Sequence, residues 1–233
     1  MTAAPEYLTS LLASYAREPP KTRPFVTLTF AQSLDGKIAG TAGKQLALSG
    51  HESLVMTHWL RTLHDAILVG SGTALNDDPQ LNSALAFTLA FLSTSKRALD
   101  YGCPQRAKLL RNYALGSGAG RQPWVVSRRD ADPEWETRRQ ALEKAGARVL
   151  VLPAELESRS SIAALLSLLR TEGIRSLMVE GGAQIITAFF GASDTCVDTV
   201  LITTAPVLIG ASGVSYKVPE VRFTSPLFFF SPH

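Results

Sequence analysis

In residues 177–190 a short apolar run, Leu177-Met178-Val179, passes through Glu180-Gly181-Gly182-Ala183 into Gln184-Ile185-Ile186-Thr187-Ala188-Phe189-Phe190. The run has the length and composition of a fully buried strand. Ile185, Ile186, Phe189 and Phe190 recur at the spacing of a core-facing helical stripe. A buried strand feeding a helix through so short a turn is the elementary step of an α/β layered fold. Two glycines let the turn be tight and let a ligand approach the main chain. The following helix start offers free N–H groups and the positive dipole end, which favour an anion such as a phosphate. Glu180 faces the same spot, suited to hydrogen-bond hydroxyls or amines but repelling any phosphate set against it. A turn that needs glycine for packing alone fits these residues equally well, and the chain contains neither G-x-G-x-x-G nor a P-loop.

The same alternation recurs along the chain. Strands are predicted over 25–31, 66–70, 124–127, 148–152 and 199–205, and helices over 7–15, 50–64, 133–144 and 162–170. At 233 residues this predicts one α/β domain with a largely parallel sheet. Ligands in such sheets bind beyond the carboxyl ends of the strands. Thr73, Asp77, Glu180 and Gly182 would all lie there. Thr73 and Asp77 stand four apart, so one helical turn puts them on one side, suited either to ligand hydrogen bonds or to a helix cap.

Ser49-Gly50-His51-Glu52 reads as a capping box, with Ser49 at the N-cap and Glu52 at N3. Leu54, Val55, Trp59 and Leu63 are expected to share that helix's buried face. His51, His58 and His64 are not spaced i, i+4, and no metal site is predicted. Arg61 comes late in the helix, where its fork can reach a ligand or simply complement the helix dipole. Asp35, before Gly36, reads as a turn residue rather than a catalytic one.

Charge and cysteine content narrow the function classes. The balance of 23 basic against 20 acidic residues gives +3, too little to imply nucleic acid or a membrane surface. No apolar run approaches the ~20 residues of a membrane helix, and no secretory signal is predicted. Cys103 and Cys196 make neither a disulfide framework nor a zinc pattern, so the cytosol is the expected compartment.

Four blocks, FVTLTFAQSLDGKIAG, WLRTLHDAILVGSGTALNDDPQLN, LMVEGGAQII and VDTVLITTAPVLIG, closely resemble the reductase family of riboflavin biosynthesis. The resemblance is to its fungal and archaeal 2,5-diamino-6-ribosylamino-4(3H)-pyrimidinone 5′-phosphate reductases. It implies a dihydrofolate-reductase-like three-layer fold with a mostly parallel central sheet flanked by helices. It also implies NADPH as cofactor, a homodimer, and hydride transfer to C1′ of the ring-opened ribosyl imine. By resemblance Ala31, Thr73, Asp77, Gly181, Gly182, Ala183 and Gln184 would contact NADPH. Arg61, Leu81 and Glu180 would face the substrate, with Ser49 near both and Glu180 as the catalytic candidate. Residues 1–24 would be an N-terminal extension and 25–233 the reductase domain. The bacterial bifunctional relatives add a zinc deaminase, whose H-x-E and P-C-x-x-C are not found here. Two other readings share the fold: a reductase of another pterin or pyrimidine, and a non-catalytic dimeric NADP-binding protein.

The chain departs from the family pattern over 83–122 and 217–233. Ala84 replaces an expected phosphate-binding Arg. A Val-rich strand expected before Lys108 is replaced by residues 84–102, and the closing C-terminal strand is absent or rewritten. The expectation is weakened substrate binding and exposed sheet edges.

Overall fold

A computed structural model describes residues 4–78, 87–93, 108–115, 121–129, 132–152, 161–192 and 196–218. In chain order the elements are α1 (Glu6–Leu11), β1 (Phe25–Ser33), β2 (Lys37–Ala39), α2 (His51–Thr62), β3 (Ala66–Val69), α3 (Ser71–Asp77), β4 (Phe87–Ser93) and α4 (Lys108–Ala114). They continue as β5 (Trp124–Arg128), α5 (Trp135–Lys144), β6 (Arg148–Leu152), α6 (Ser161–Thr171), β7 (Ser176–Glu180), α7 (Ala183–Phe190), β8 (Thr199–Ala205) and β9 (Val214–Ser215). Seven strands form one sheet in the order β6-β5-β4-β3-β7-β1-β8, every neighbouring pair parallel. β2 and β9 make a separate antiparallel ribbon.

Alternate residues of the strands feed opposite layers, as the pleat requires. Val26, Leu28, Leu68, Val126, Leu177 and Val179 pack with Leu165, Ile185, Ile186 and Phe189 of α6 and α7 on one face. On the other face Ile67, Val69 and Val125 meet Leu110, Trp135 and Leu142 of α4 and α5. On that second face Met178 and Leu201 meet Leu60 of α2 together with Leu8 and Leu12 of the N-terminal segment.

Three expectations need correction. The strand thought lost before Lys108 exists: β4, Phe87–Ser93, pairs with both β3 and β5. Its sequence, FTLAFLS, is mostly apolar, broken only by Thr88 before the closing Ser93, as suits a central parallel strand, and so shows no alternation to read. The capping box is not formed either. α2 begins at His51 with Gly50 as N-cap, extended at φ −76°, ψ 179°, and no side chain caps it. That leaves Ser49 one residue too early to reach the first free N–H groups. Finally, Leu54 and Val55 are exposed, because α2 turns Ser53 and Leu60 inward, with Ser53 Oγ 3.1 Å from Thr203 Oγ1 on β8.

His64, just past α2, is a core residue. Its Nδ1 lies 2.7 Å from the Leu60 carbonyl and therefore carries the hydrogen, leaving Nε2 to accept from the Thr27 hydroxyl at 2.8 Å. Tyr15 completes the network, its hydroxyl 2.9 Å from Thr27 Oγ1 and its ring edge-on to His64. Burial lowers the His64 pKa from 6.5 to about 4. The unfolded chain therefore binds one more proton between those values, so stability falls as pH drops through the window, by about 3 kcal/mol in all. Urea unfolding of His64→Gln from pH 7 down to about 4 should lose this slope. A slope identical to wild type would move the acid sensitivity elsewhere.

Candidate functional site

Among the described residues a cleft lies where two neighbouring strands send their helices to opposite faces. From β3 the chain enters α3, whose Ala74 packs with Ile67 and Val69; from β7 it enters α7, which packs on the face of Leu177 and Val179. A parallel sheet splits open at such a point, beyond the carboxyl ends of the strands. The cleft there is about 400 Å³ and is lined by Gly70–Thr73, by Glu180–Ile185 and Ala188, and by Ile38, Ala39, Gly43, Gln45 and Val214.

Glycine is obligatory where the two turns meet. Gly182 has φ +96°, and a Cβ there would sit 2.7 Å from Thr73 Oγ1. Gly70 is as tightly placed, since its Cβ would meet Ile185 Cγ1 at 2.8 Å. The turns thus touch backbone to side chain. Gly182 is also the N-cap of α7, and the first helical bond runs from Ile186 N to the Gly182 carbonyl. The N–H groups of Ala183, Gln184 and Ile185 have no acceptor within the helix. They open on the cleft with the positive end of α7, which fits a phosphate.

Glu180 ends β7 at the cleft and is held from α2. Arg61 Nε donates to Oε1 at 2.5 Å and Nη2 to Oε2 at 2.7 Å, a two-bond fork with both side chains about a fifth exposed. Burial pulls the Arg61 pKa down, but the hydrogen bonds and charge of Glu180 outweigh it and leave it raised. Each carboxylate oxygen accepts one bond from Arg61 and keeps a second lone pair for another donor.

The structure brings Thr73, Glu180, Gly181, Gly182, Ala183 and Gln184 together around the cleft. Arg61 joins them through Glu180 rather than through the cleft lining. Ala31 and Ser49 stand outside the lining; Ala31 lies on β1 two residues beyond Thr29, the partner of Glu180. Asp77 is the last residue of α3, and its side chain lies outside the described residues, as do Leu81 and Ala84. Sequence reasoning missed Ile38, Ala39 and Val214, because the ribbon wall joins segments far apart in the chain. Gln45, the polar side chain on that side, sits in a stretch without periodicity. Among the described residues no group of three or more His, Cys, Asp or Glu could hold a metal ion, and no helix is long and apolar enough to cross a membrane.

Residues 24–227 match the family model of the RibD C-terminal domain. The chain belongs to the RibD C-terminal domain family. It is an oxidoreductase of that family. A reductase of Debaryomyces hansenii, the 2,5-diamino-6-ribosylamino-4(3H)-pyrimidinone 5′-phosphate reductase, is 35% identical over 210 residues, covering 89% of this chain and 85% of its own. The protein of the same name from Archaeoglobus fulgidus is 36% identical over 197 residues, covering 81% and 83%. Among solved structures, the riboflavin biosynthesis reductase Rib7 of Saccharomyces cerevisiae superposes with a TM-score of 0.70 at 28% identity, over 93% of this chain and 90% of Rib7. RibD of Acinetobacter baumannii shares the fold at a TM-score of 0.61 and 21% identity, over 87% of this chain and 52% of RibD. The dihydrofolate-reductase-like arrangement expected from the sequence is the one found.

Proposed function

We propose that the chain is the NADPH-dependent reductase of 2,5-diamino-6-ribosylamino-4(3H)-pyrimidinone 5′-phosphate in riboflavin biosynthesis, the activity for which its fungal and archaeal relatives are named. One observation carries the reading. The phosphate-seating turn at Gly181 and Gly182 opens into the same cleft as Glu180, so a dinucleotide and a hydroxyl-rich substrate have adjacent seats.

NADPH, when bound, would supply a hydride to C1′ of the ring-opened imine, whose nitrogen would take a proton from solvent, turning ribosylamino into ribitylamino. The chain's residues do the rest. The N–H groups of Ala183, Gln184 and Ile185, with Thr73, hold cofactor phosphate and ribose; Ala31 and Asp77 complete the cofactor set. Glu180 accepts hydrogen bonds from sugar hydroxyls or pyrimidine amino groups, and Arg61 fixes it in place. Orientation of this kind can be worth several orders of magnitude in rate. Ser49 and Leu81 belong to the substrate side. Residues 25–233 form the reductase domain, and 1–24 are an extension docked on it through Leu8 and Leu12.

The enzyme works in the cytosol as a homodimer. Leu54, Val55, Ile202, Val207 and Leu208 support the dimer, since these apolar side chains are exposed on α2, the edge strand β8 and the loop after it. The deciding experiment mixes purified chain, NADPH and the pyrimidinone phosphate and follows loss of NADPH absorbance, with the same preparation sized by light scattering. Turnover by a species of twice the chain mass is expected. A preparation that binds NADPH but leaves the substrate unreduced would favour the non-catalytic alternative.

A further inference from the structure

We propose that Asp35 is a positioning residue of the cleft: its carboxylate clamps the loop after β8 so that the β2–β9 ribbon stands as the cleft's apolar wall. The inference rests on the reductase reading above, because it assigns that wall to the flat heterocycles of cofactor and substrate.

Asp35 Oδ1 accepts from the Ser33 hydroxyl at 2.6 Å and from Ile209 N at 3.1 Å, and Oδ2 accepts from Gly210 N at 2.7 Å. Residues 174 and 175 positions away in sequence are thereby tied to the turn that ends β1. These bonds hold the Asp35 carboxyl near a pKa of about 2, below its ordinary 3.8, led by the Ser33 hydroxyl. A carboxylate in that state keeps its acceptors filled throughout the working pH range. From Gly210 the loop turns back, with Gly213 N bonded to the Gly210 carbonyl at 3.1 Å. A Cβ on Gly213 would strike Ile209 Cγ2 at 2.6 Å and Lys37 Cγ at 2.9 Å, so clamp and ribbon are packed against one another. Val214 then pairs with Ala39, and Thr41 Oγ1 donates to Ser212 Oγ at 3.0 Å. Ile38, Ala39 and Val214 line the cleft across from Gly181 and Gly182. The ribbon's register shifts between Lys37 and Ala39, and β9 is only two residues long. So short a ribbon does not hold itself in place in water. Past β9 the chain is held by the Tyr216 hydroxyl, which donates to Gln32 Oε1 at 2.6 Å; Asp35 supplies the restraint on the loop that leads into β9. A flat ring is then gripped between an apolar wall and a glycine turn, the arrangement that excludes water from a reacting face.

The test uses the full chain carrying Asp35→Asn, which keeps the size but removes the charged acceptor. Amide exchange at Ile209 and Gly210 should speed by about tenfold or more. KM and Kd for NADPH should rise about tenfold while kcat stays within about twofold, since the chemistry is untouched. A merely structural role would lower the folded fraction, hence apparent kcat, and leave KM where it was. Gly210→Ala is the second variant: at φ +87° it strains the same loop, and its Cβ meets nothing within 4 Å, so the same rise in KM is expected without touching Asp35. Wild-type chain that binds no NADPH by calorimetry fails the functional reading, and the inference with it. Wild-type chain that binds NADPH, beside an Asp35→Asn chain with faster exchange and unchanged constants, overturns the inference alone.

Discussion

Gly182→Val should abolish NADPH binding, and by more than backbone strain explains. Two costs fall on this position. The first is conformational: φ is +96°, a region that a β-branched residue adopts only at a cost of about 1–3 kcal/mol. The second is steric, because the new Cβ would lie 2.7 Å from Thr73 Oγ1. Relief of that overlap turns the Thr73 hydroxyl out of place or pushes the start of α7 away from α3, and either change disturbs the proposed seat built from Thr73 and the Ala183, Gln184 and Ile185 N–H groups. Gly173 separates the two costs. Its φ is +89°, nothing lies within 4 Å of a Cβ built there, and it precedes β7 at the far end from the cleft. Gly173→Val should therefore match Gly182→Val in lost stability from strain and yet bind NADPH as wild type does. Calorimetry of the two variants side by side decides it. Unchanged affinity in Gly182→Val would remove the cofactor from this turn.

That the turn could be found without coordinates follows from how local its signals are. Strand, glycine pair and helix stripe lie in consecutive residues, and the outcome is Ser176–Glu180 followed by Ala183–Phe190. The same locality made β1, β5, β6 and β8 readable, each a β-branched or aromatic run bounded by a turn. Where a signal was shared by two candidates, sequence chose wrongly. Ser49 and Gly50 both suit an N-cap, and the extended backbone of Gly50 took the place. β4 was hidden for the opposite reason: a strand between two parallel neighbours needs no polar face, so its pattern is indistinguishable from a buried helix segment. The least legible features are pairings over long sequence separation. Arg61 and Glu180 are 119 positions apart, and their individual readings, a ligand-facing fork and a ligand-facing carboxylate, said nothing of each other. Asp35 was read as a turn residue from its neighbour Gly36, yet its clamp on Ile209 and Gly210 lies far down the chain.

The Arg61–Glu180 pair carries the largest expected effect on turnover kinetics. Removing one member of a largely buried, hydrogen-bonded pair leaves the other charge uncompensated, which costs about 3–5 kcal/mol when burial is complete. Here both side chains keep about a fifth of their exposure, so about 2 kcal/mol of stability is expected to be lost in Arg61→Ala. Its kinetic signature should be a raised KM for the pyrimidinone phosphate, because Glu180 is then free to swing from its position. Glu180→Gln is the sharper test. The amide keeps the size and one acceptor oxygen but cannot titrate, and its NH₂ faces the donors of Arg61. With Glu180 as a positioning group, KM should rise about tenfold or more and the shape of the pH profile should stay as in wild type. With Glu180 as proton donor to the imine nitrogen, turnover should collapse and one limb of the profile should vanish. The two-bond fork favours the first outcome, since it fixes the orientation of the carboxylate while each oxygen keeps a second lone pair to accept from the substrate. The double variant Arg61→Ala, Glu180→Gln completes the cycle: if the two side chains act as a unit, its KM should be no higher than that of the worse single variant. Effects that simply multiply would mean that Arg61 and Glu180 meet the substrate separately, and that their fork opens when the substrate binds.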